Sequence, residues 1–184
     1  MSRAFVDETD DNLFEDDFPE IKDPLPPGVK NYMTPDGAER LKGELYNLAK
    51  VERPNLSAAL SRAVADGEGS QKELMAKERR RLREIDRRVE YLTKMVGKME
   101  VVDIKKQDPE QVLFGAWVTI IDEDDKKMVY RIVGIDESDP SRGMISWISP
   151  VARALVNTRI GDVVTLKLPK GEVKMKVEKI EYTL

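Results

Sequence analysis

Two residue types that build many catalytic and metal sites are missing from this chain. Its 184 residues contain no cysteine and no histidine. Without cysteine there is no disulfide and no thiolate metal site. Without histidine there is neither the usual general base nor the commonest zinc ligand. The sequence therefore excludes histidine-based catalytic triads and metallohydrolase sites.

Long apolar runs are missing as well. No stretch approaches the roughly 20 apolar residues that a helix needs to cross a bilayer, and the N-terminus lacks the apolar core of a signal peptide. Aromatic residues make up 6% of the chain and charged residues 36%, which favours long solvated helices over one compact globule. We expect a soluble, cytoplasmic protein that makes no membrane contact.

The acidic residues are concentrated at the N-terminus. Residues 1–23 contain nine acidic and two basic residues, about −7, whereas the whole chain carries −4, so the remainder carries about +3. Residues 1–30 have few apolar groups and end in a proline-rich segment, which predicts a disordered acidic arm with a stiff linker. The arm is interpreted either as a solubilising tail or as a short partner-binding motif.

Residues 31–103 have the pattern of two long helices. Thr34 is a good N-cap and Pro35 suits the first helical position, so the first helix should begin there. Pro54 should kink this helix or restart it. The apolar stripes are Leu41, Leu45, Leu48, Leu56, Leu60 and Val64 in the first helix, and Leu82, Ile85, Val89, Leu92, Val96 and Met99 in the second.

Two glycines separate the helical patterns, and Ser70 is a plausible N-cap for the second helix. They predict a tight reversal near residues 66–72, and the alternating spacing of three and four in the second stripe is typical of a coiled coil. The segment is therefore predicted to be an antiparallel coiled-coil hairpin, on the order of 45 Å long. So thin a hairpin buries little surface, and we expect its base to dock on another part of the chain.

Residues 107–184 have the pattern of a β domain. Runs rich in β-branched and aromatic residues are separated by turn clusters, and one short helix is expected at 150–156 with Ser149 as its cap. The predicted strands are 112–121, 127–133, 144–148, 163–168 and 172–182. Trp117 and Trp147 are expected in the core, with a platform for a ligand as the alternative. The predicted fold class is α+β, with the coiled-coil hairpin followed by an antiparallel sheet.

Seven segments narrow the choice among proteins with a helical finger and a small β domain: TPDGAERLKGEL, VERP, RLREIDRRVEYLTK, FGAWVTI, YRIVGIDE, ISPVARAL and IGDVVTLKLPKGE. In this order they resemble the Gre transcript-cleavage factors, the GreA/GreB family. The resemblance covers residues 32–182, nearly everything except the acidic arm. The coiled-coil stretch is most similar to GreB.

The resemblance implies an FKBP-like C-terminal domain that anchors at the rim of the RNA polymerase secondary channel, while the coiled coil runs inward to the active site. The polymerase itself hydrolyses the backtracked RNA, so the chain would be a cofactor of cleavage and not an enzyme. The implied partners are RNA polymerase, the nascent RNA 3′ end and the DNA of the elongation complex, and a monomer is expected. An FKBP-like fold does not imply prolyl isomerase activity, because fold alone does not carry function.

The resemblance also implies a role for the tip of the hairpin. The family pattern Gly-Asp-x-Ser-Glu-Asn falls on residues 67–72, where Glu68 keeps the first acid and Gln71 replaces the second. The tip acids of the family help to hold a Mg²⁺ of the polymerase active site, so the free protein is expected to bind no cofactor. Two-metal cleavage needs anionic oxygen ligands. Asp66 and Glu73 are alternative carboxylates.

Three interpretations of this altered tip stay open. Cleavage stimulation is expected to be weakened, because a misplacement of about 1 Å can by itself cost roughly 10²-fold in rate. Alternatively, the chain is a non-cleaving regulator that occupies the secondary channel. The third interpretation is a tip that is only a solvated turn.

Two further surfaces are candidate contacts. The basic residues of the second helix are expected either to line a path for RNA or to form a solvated coiled-coil face with pairs such as Glu84–Arg88. They are Arg79, Arg80, Arg81, Arg83, Arg87 and Arg88. The predicted polymerase anchor is the motif at the start of the short helix, with Ser149, Pro150, Ala152 and Arg153 as its residues.

Overall fold

The computed structural model describes residues 23–65, 72–168 and 171–183. In chain order the elements are β1 (Asn31–Met33), α1 (Pro35–Asn47), a π-helical segment (Leu48–Glu52), α2 (Arg53–Ala65), α3 (Lys72–Gly97), β2 (Met99–Val101), β3 (Trp117–Ile121), β4 (Lys127–Val133), β5 (Met144–Ser146), α4 (Pro150–Leu155), β6 (Val163–Leu168) and β7 (Gly171–Glu181). No helix in these ranges is long and apolar enough to cross a bilayer.

Helix α1 begins where the sequence predicts and passes into a wider turn before Pro54. Thr34 is its N-cap and accepts a hydrogen bond from the backbone N–H of Gly37 at 3.1 Å, with Pro35 at the first helical position. Directly before Pro54 the chain widens into the π-helical segment, where the N–H of Arg53 donates to the carbonyl of Leu48. A proline inside an α-helix clashes with the carbonyl four residues earlier, and a wider turn relieves that clash. The predicted restart at Pro54 is confirmed.

Helices α1 and α2 pack against α3 as an antiparallel hairpin. Glu44 pairs with Arg88 and Glu52 with Arg81, so the residue number on one side falls as the other rises. At the base, a buried cluster joins the helices to the preceding segment and to the β domain. Its buried members are Leu25, Met33, Ala38, Leu41, Leu48, Ile85, Leu92 and Met95.

The apolar stripes differ from the prediction at both ends of the hairpin. Val64 is 59% exposed, so the stripe of the first helix ends at Leu60. Met95, which the predicted seam omits, is fully buried, whereas Val96 is only half-buried. A heptad seam describes contact with a single partner helix. At the base, however, the cluster also contains residues from outside the helices, and a wider face of α3 is covered.

The segment predicted to be a stiff linker is packed onto this base. Leu25 is 4% exposed and belongs to the buried cluster. Asp23 forms an ion pair with Lys98, next to the end of α3. Strand β1 follows and pairs in parallel with β2, in register from Asn31 with Met99. The chain therefore enters and leaves the hairpin through one small parallel ribbon, which sequence patterning did not predict.

The β domain is built on a five-stranded sheet with the order β5-β4-β3-β7-β6. The predicted all-antiparallel sheet is wrong at one edge, because β5 pairs in parallel with β4, with Arg131 beside Met144. The turn cluster that the sequence predicts before β5 covers residues 136–143. Residues 134–143 form two 3₁₀ turns, Ile135–Glu137 and Pro140–Arg142, which carry the chain back along β4 before β5 begins. The predicted strand at 112–121 begins later, at Trp117.

The core of the β domain follows the two-residue period of a strand. In β3, Val118 and Ile120 are fully buried, while their neighbours along the strand are half-buried. The predicted short helix is present as α4, and its residues Ala152 and Leu155 pack into this core. The buried members of the cluster are Val112, Ala116, Val118, Ile120, Ile132, Ala152, Leu155, Val164, Leu166, Met175, Val177 and Ile180.

The two tryptophans are only partly in the core. Trp147 is half-buried and packs against both clusters, with its ring 5.5 Å from that of Tyr32 in an edge-to-face arrangement. It therefore lies where the hairpin meets the β domain. Trp117 is half-buried on the opposite face of the sheet, where the guanidinium of Arg131 lies 5.5 Å from its ring. An amphipathic ring gains from such a partner without full burial.

Candidate functional site

The predicted tip residues Asp66, Glu68 and Gln71 lie outside the described residues, as does the side chain of Glu73. Helix α2 ends at Ala65 and α3 begins at Lys72, so the described helices stop on either side of the predicted reversal. Within the described part of the chain, no group of three or more acidic residues could hold a metal ion. The magnesium assignment therefore stays a prediction from the sequence.

Of the six basic residues predicted to contact RNA, which we call the basic patch, two form ion pairs across the hairpin. Arg88 donates from Nε and Nη2 to the two carboxylate oxygens of Glu44, at 2.6 and 2.9 Å. Arg81 donates from Nε and Nη2 to one oxygen of Glu52, at 2.9 and 2.7 Å. These hydrogen bonds raise the pKa of both arginines above its ordinary value. Two-point contacts of this kind fix the geometry of both partners.

The other patch residues are in different positions. Glu84 contacts Arg80 and Arg81 at 3.6 Å, whereas the predicted partner of Glu84, Arg88, is bound across the hairpin. Arg83 and Arg87 are half-buried and have contacts within the protein. Arg79 and Arg80 are exposed. Of the six, these two are the best placed to meet a phosphate backbone.

The residues of the predicted polymerase anchor also differ in exposure. Ser149 caps α4 by accepting a hydrogen bond from the N–H of Ala152 at 3.2 Å. Ala152 is 0% exposed in the core of the β domain, so its side chain cannot touch a partner. Pro150 and Arg153 are exposed on the helix surface. Of the four predicted anchor residues, Pro150 and Arg153 have side chains exposed to solvent, whereas Ser149 and Ala152 hold α4 in place.

Sequence reasoning missed a cluster of polar residues where the hairpin meets the β domain. The carboxylate of Glu137 accepts hydrogen bonds from the backbone N–H and the hydroxyl of Thr34. The neighbouring Asp136 accepts a hydrogen bond from the hydroxyl of Tyr91 at 2.6 Å. Burial and this hydrogen bond raise the pKa of Tyr91 above its ordinary value. The signal available in the sequence was the pair of adjacent acids after Gly134.

Comparison with known proteins matches both halves of the chain. A family model described as "Transcription elongation factor, N-terminal" matches residues 31–101, and one described as "Transcription elongation factor, GreA/GreB, C-term" matches residues 106–182. Transcription elongation factor GreB of Neisseria meningitidis is 42% identical over 84% of this chain and 95% of its own length. The GreB of Pseudomonas aeruginosa is 44% identical over 82% of this chain and 89% of its own.

Among solved structures, the GreA factor homolog 1 of Thermus thermophilus covers 83% of this chain and 99% of its own, with 21% identity and a TM-score of 0.40. The identity to the two GreB proteins extends through the hairpin and the β domain together, as do the two family models. The chain belongs to the GreA/GreB family of transcription elongation factors.

Proposed function

We propose that this chain binds RNA polymerase and stimulates the polymerase's own cleavage of nascent RNA in backtracked complexes. The observation that carries the proposal is the match of both halves, hairpin and β domain, to transcription elongation factors. Both parts are needed for such a role. The β domain provides an anchoring surface at the rim of the secondary channel, and the hairpin provides the reach.

The shape of the hairpin supports this assignment. Helix α3 has 26 residues, which corresponds to about 39 Å of α-helix. A pair of packed helices is narrow enough to enter a channel, and the ion pairs across the hairpin hold its form without a wide apolar core. The chain acts in this proposal as a monomeric, cytoplasmic cofactor of the polymerase, with all bond-breaking groups belonging to the polymerase.

The tip residues can supply only some of the ligands of a magnesium ion, so the ion would be shared with the polymerase. Mg²⁺ takes about six oxygen ligands, whereas residues 66–71 offer two carboxylates, Asp66 and Glu68, and the amide of Gln71. Most ligands must therefore come from the polymerase and from water. When bound, such an ion activates water for phosphodiester cleavage. Glu68 would supply one anionic oxygen to it, and the neutral Gln71 is the reason to expect weakened stimulation.

The basic face of α3 supports a contact with the nascent RNA 3′ end. Arg79 and Arg80 are exposed on the shaft of the hairpin, on the path between the anchor and the tip. Arginines placed along such a path neutralise phosphates with little dependence on sequence. Contact with the DNA of the elongation complex would rest on the same cationic surface.

A second candidate function is a regulator that occupies the secondary channel without promoting cleavage. The observation in its favour is the replacement of the second tip acid by Gln71, followed by the positively charged Lys72. Such a protein would bind the polymerase with the same anchor and would compete with an active cleavage factor for the same complex.

RNA cleavage in stalled, backtracked elongation complexes separates the two candidates. With the full-length chain, Glu68→Gln should abolish cleavage stimulation and leave polymerase binding intact, because Glu68 lies in the sequence between the ends of α2 and α3 that are opposite the base of the hairpin. Gln71→Glu should increase cleavage in a magnesium-dependent way. Glu39→Gln is the matched control, since Glu39 is an exposed acid at the base of the hairpin and should tolerate the same change.

Each remaining outcome has a definite meaning. A wild-type protein that does not cleave but competes with an active Gre factor supports the non-cleaving regulator. If the wild type cleaves well and Glu68→Gln changes nothing, the assignment of the tip to Glu68 is wrong. Asp66→Asn and Glu73→Gln would then identify the carboxylate that is used.

A further inference from the structure

The junction between the hairpin and the β domain contains all the buried polar side chains in the described part of the chain. These are Asn31, Thr34 and Glu137, with exposures of 0%, 3% and 5%. Burying polar groups costs free energy unless they are hydrogen-bonded. Hydrogen-bonded polar groups fix one arrangement, because their contacts depend on direction as well as distance. Of these three side chains, the oxygens of Thr34 and Glu137 have partners and Oδ1 of Asn31 has none. Their concentration here points to a requirement for one particular geometry.

Glu137 forms the centre of this junction. Its carboxylate belongs to the β domain and accepts hydrogen bonds from the backbone N–H of Thr34 and of Gly134, both at 3.0 Å, and from the hydroxyl of Thr34. Thr34 is the N-cap of α1. One side chain of the β domain is therefore bound to the residue at which the hairpin begins.

Two glycines make room for this carboxylate from opposite sides. A Cβ atom added at Gly37 of α1 would lie 2.0 Å from Oε1 of Glu137. A Cβ atom added at Gly134 would lie 2.8 Å from Oε2 of Glu137 and 2.5 Å from the carbonyl oxygen of Tyr32. A larger residue at Gly37 would displace the carboxylate of Glu137, and one at Gly134 would in addition meet the backbone of Tyr32, so neither change leaves the contact intact.

Asp136 makes a second contact with another part of the hairpin. Its Oδ1 accepts a hydrogen bond from the hydroxyl of Tyr91 on α3 at 2.6 Å, and its Oδ2 accepts one from the side-chain amide of Asn31 at 3.3 Å. Adjacent acids of one 3₁₀ turn thus bind both arms of the hairpin, Glu137 at the start of α1 and Asp136 near the end of α3. Contacts at two points oppose rotation about either one.

We propose that Asp136 and Glu137 are positioning residues that set the angle between the hairpin and the β domain, and so decide where the tip reaches. The effect of this angle on RNA cleavage by the polymerase rests on the proposed function. Over a hairpin of about 45 Å, a rotation of roughly 5° at the base moves the tip by about 4 Å. Displacements of about 1 Å can cost roughly 10²-fold in rate. The angle at the base therefore matters to the chemistry at the tip.

Two variants loosen the junction in different ways. Glu137→Gln keeps the size of the side chain but removes its charge and one of its two acceptor oxygens. The remaining oxygen can accept from the two backbone N–H groups or from the hydroxyl of Thr34, but not from both sides at once. Gly37→Ala keeps every hydrogen-bonding group and forces the carboxylate away. Gly43→Ala is the matched control, because Gly43 lies in the same helix with nothing within 4 Å of an added Cβ.

The first measurement follows the angle without any polymerase. The chain has no cysteine, so Leu74→Cys on α3 and Val129→Cys on β4 give two unique sites for spin labels. Both positions are 49% exposed. Electron–electron double resonance should give a narrow distance distribution in the parent and in Gly43→Ala. Glu137→Gln and Gly37→Ala should broaden it or shift it by several ångströms. Distributions as narrow and as centred as the parent's in both variants would overturn the proposal.

The second measurement separates positioning from general damage. In backtracked elongation complexes, Glu137→Gln should lower the cleavage rate at saturating factor by at least tenfold, while the concentration for half-saturation changes less than threefold. Equal loss in Gly43→Ala, or a loss confined to affinity, would contradict a positioning role. The distance measurement is informative even if the wild type stimulates no cleavage, so failure of the proposed function and failure of this inference are distinguishable.

Discussion

The base and the shaft of the hairpin are held together by different forces. At the base, Leu41, Leu92 and Met95 are between 0% and 4% exposed. Farther along the shaft buried apolar residues are fewer, with Leu60 at 9% exposure, and surface ion pairs such as Arg53–Asp86 at 2.5 Å also join the helices. Burying a large apolar side chain contributes about 1.5–3 kcal/mol, whereas an exposed ion pair contributes about 0–1 kcal/mol. The stability of the hairpin therefore lies at its base.

This difference agrees with the two tasks proposed for the hairpin. A shaft that enters a channel cannot be covered by further layers of protein, so it has no means of burying more apolar surface. Val64 and Leu74, toward the tip, are 59% and 49% exposed. Regions with few buried contacts open locally at a lower free energy than the core. The base must then supply both the stability and the direction of the whole finger.

The largest effect is expected from a cavity at the base. Leu92→Ala should lower the free energy of unfolding by about 2–5 kcal/mol, because Leu92 is fully buried and its removal leaves a void. Urea denaturation followed by circular dichroism measures this loss. Leu74→Ala removes the same atoms from an exposed position and should stay within about 0.5 kcal/mol of the wild type. Similar losses in both variants would refute the contrast between base and shaft.

The sequence predicted the parts of this structure that depend on local rules. The cap at Thr34 and the break at Pro54 follow from single residues and their neighbours, and both are present. Most strands of the β domain were found from composition. The parallel pairing of β5 could not be found this way, because strand direction depends on where residues 134–143 take the chain.

The candidate site was predictable only in part for a related reason. The six basic residues are adjacent in sequence, but which of them face the other helix depends on packing, and Arg81 and Arg88 do so. Ala152 is part of a plausible anchor motif, yet its side chain lies on the buried face of α4. Asp136 and Glu137 lie in a segment predicted to be a turn, and their role depends on residues about 100 positions earlier in the chain. Local sequence patterns do not indicate partners that are so far apart in the chain.

A smaller effect is expected from an ion pair on the shaft side of the base. Glu44→Gln weakens the two-point contact with Arg88 and should lower the free energy of unfolding by less than about 1 kcal/mol, since both side chains are more than one-third exposed. The loss should shrink in about 1 M salt, where the Debye length is about 3 Å. Glu39→Gln is the control. A loss as large as that of Leu92→Ala would show that ion pairs, and not buried apolar contacts, stabilise the hairpin.

The smallest effect concerns the acidic arm, which joins the hairpin at its base. Because Asp23 and Leu25 are packed there, a truncation should remove residues 1–22 alone. These residues could extend for about 70 Å, and Arg79 lies roughly 28 Å along α3 from Lys98. Residues 1–23 carry about −7, so the arm is expected to compete with RNA or polymerase for the cationic face.

Removing residues 1–22 should therefore tighten binding to RNA polymerase, or to single-stranded RNA, by a few-fold below about 0.1 M salt, where screening is weak. Near 1 M salt the truncated and full-length chains should bind alike. A full-length variant with the arm's acids replaced by their amides is the matched control, because it keeps the length and removes the charge. If it tightens binding as much as truncation does, the competition is electrostatic. If neither the truncation nor the salt concentration changes the affinity, this role is excluded and the arm is left as a solubilising tail.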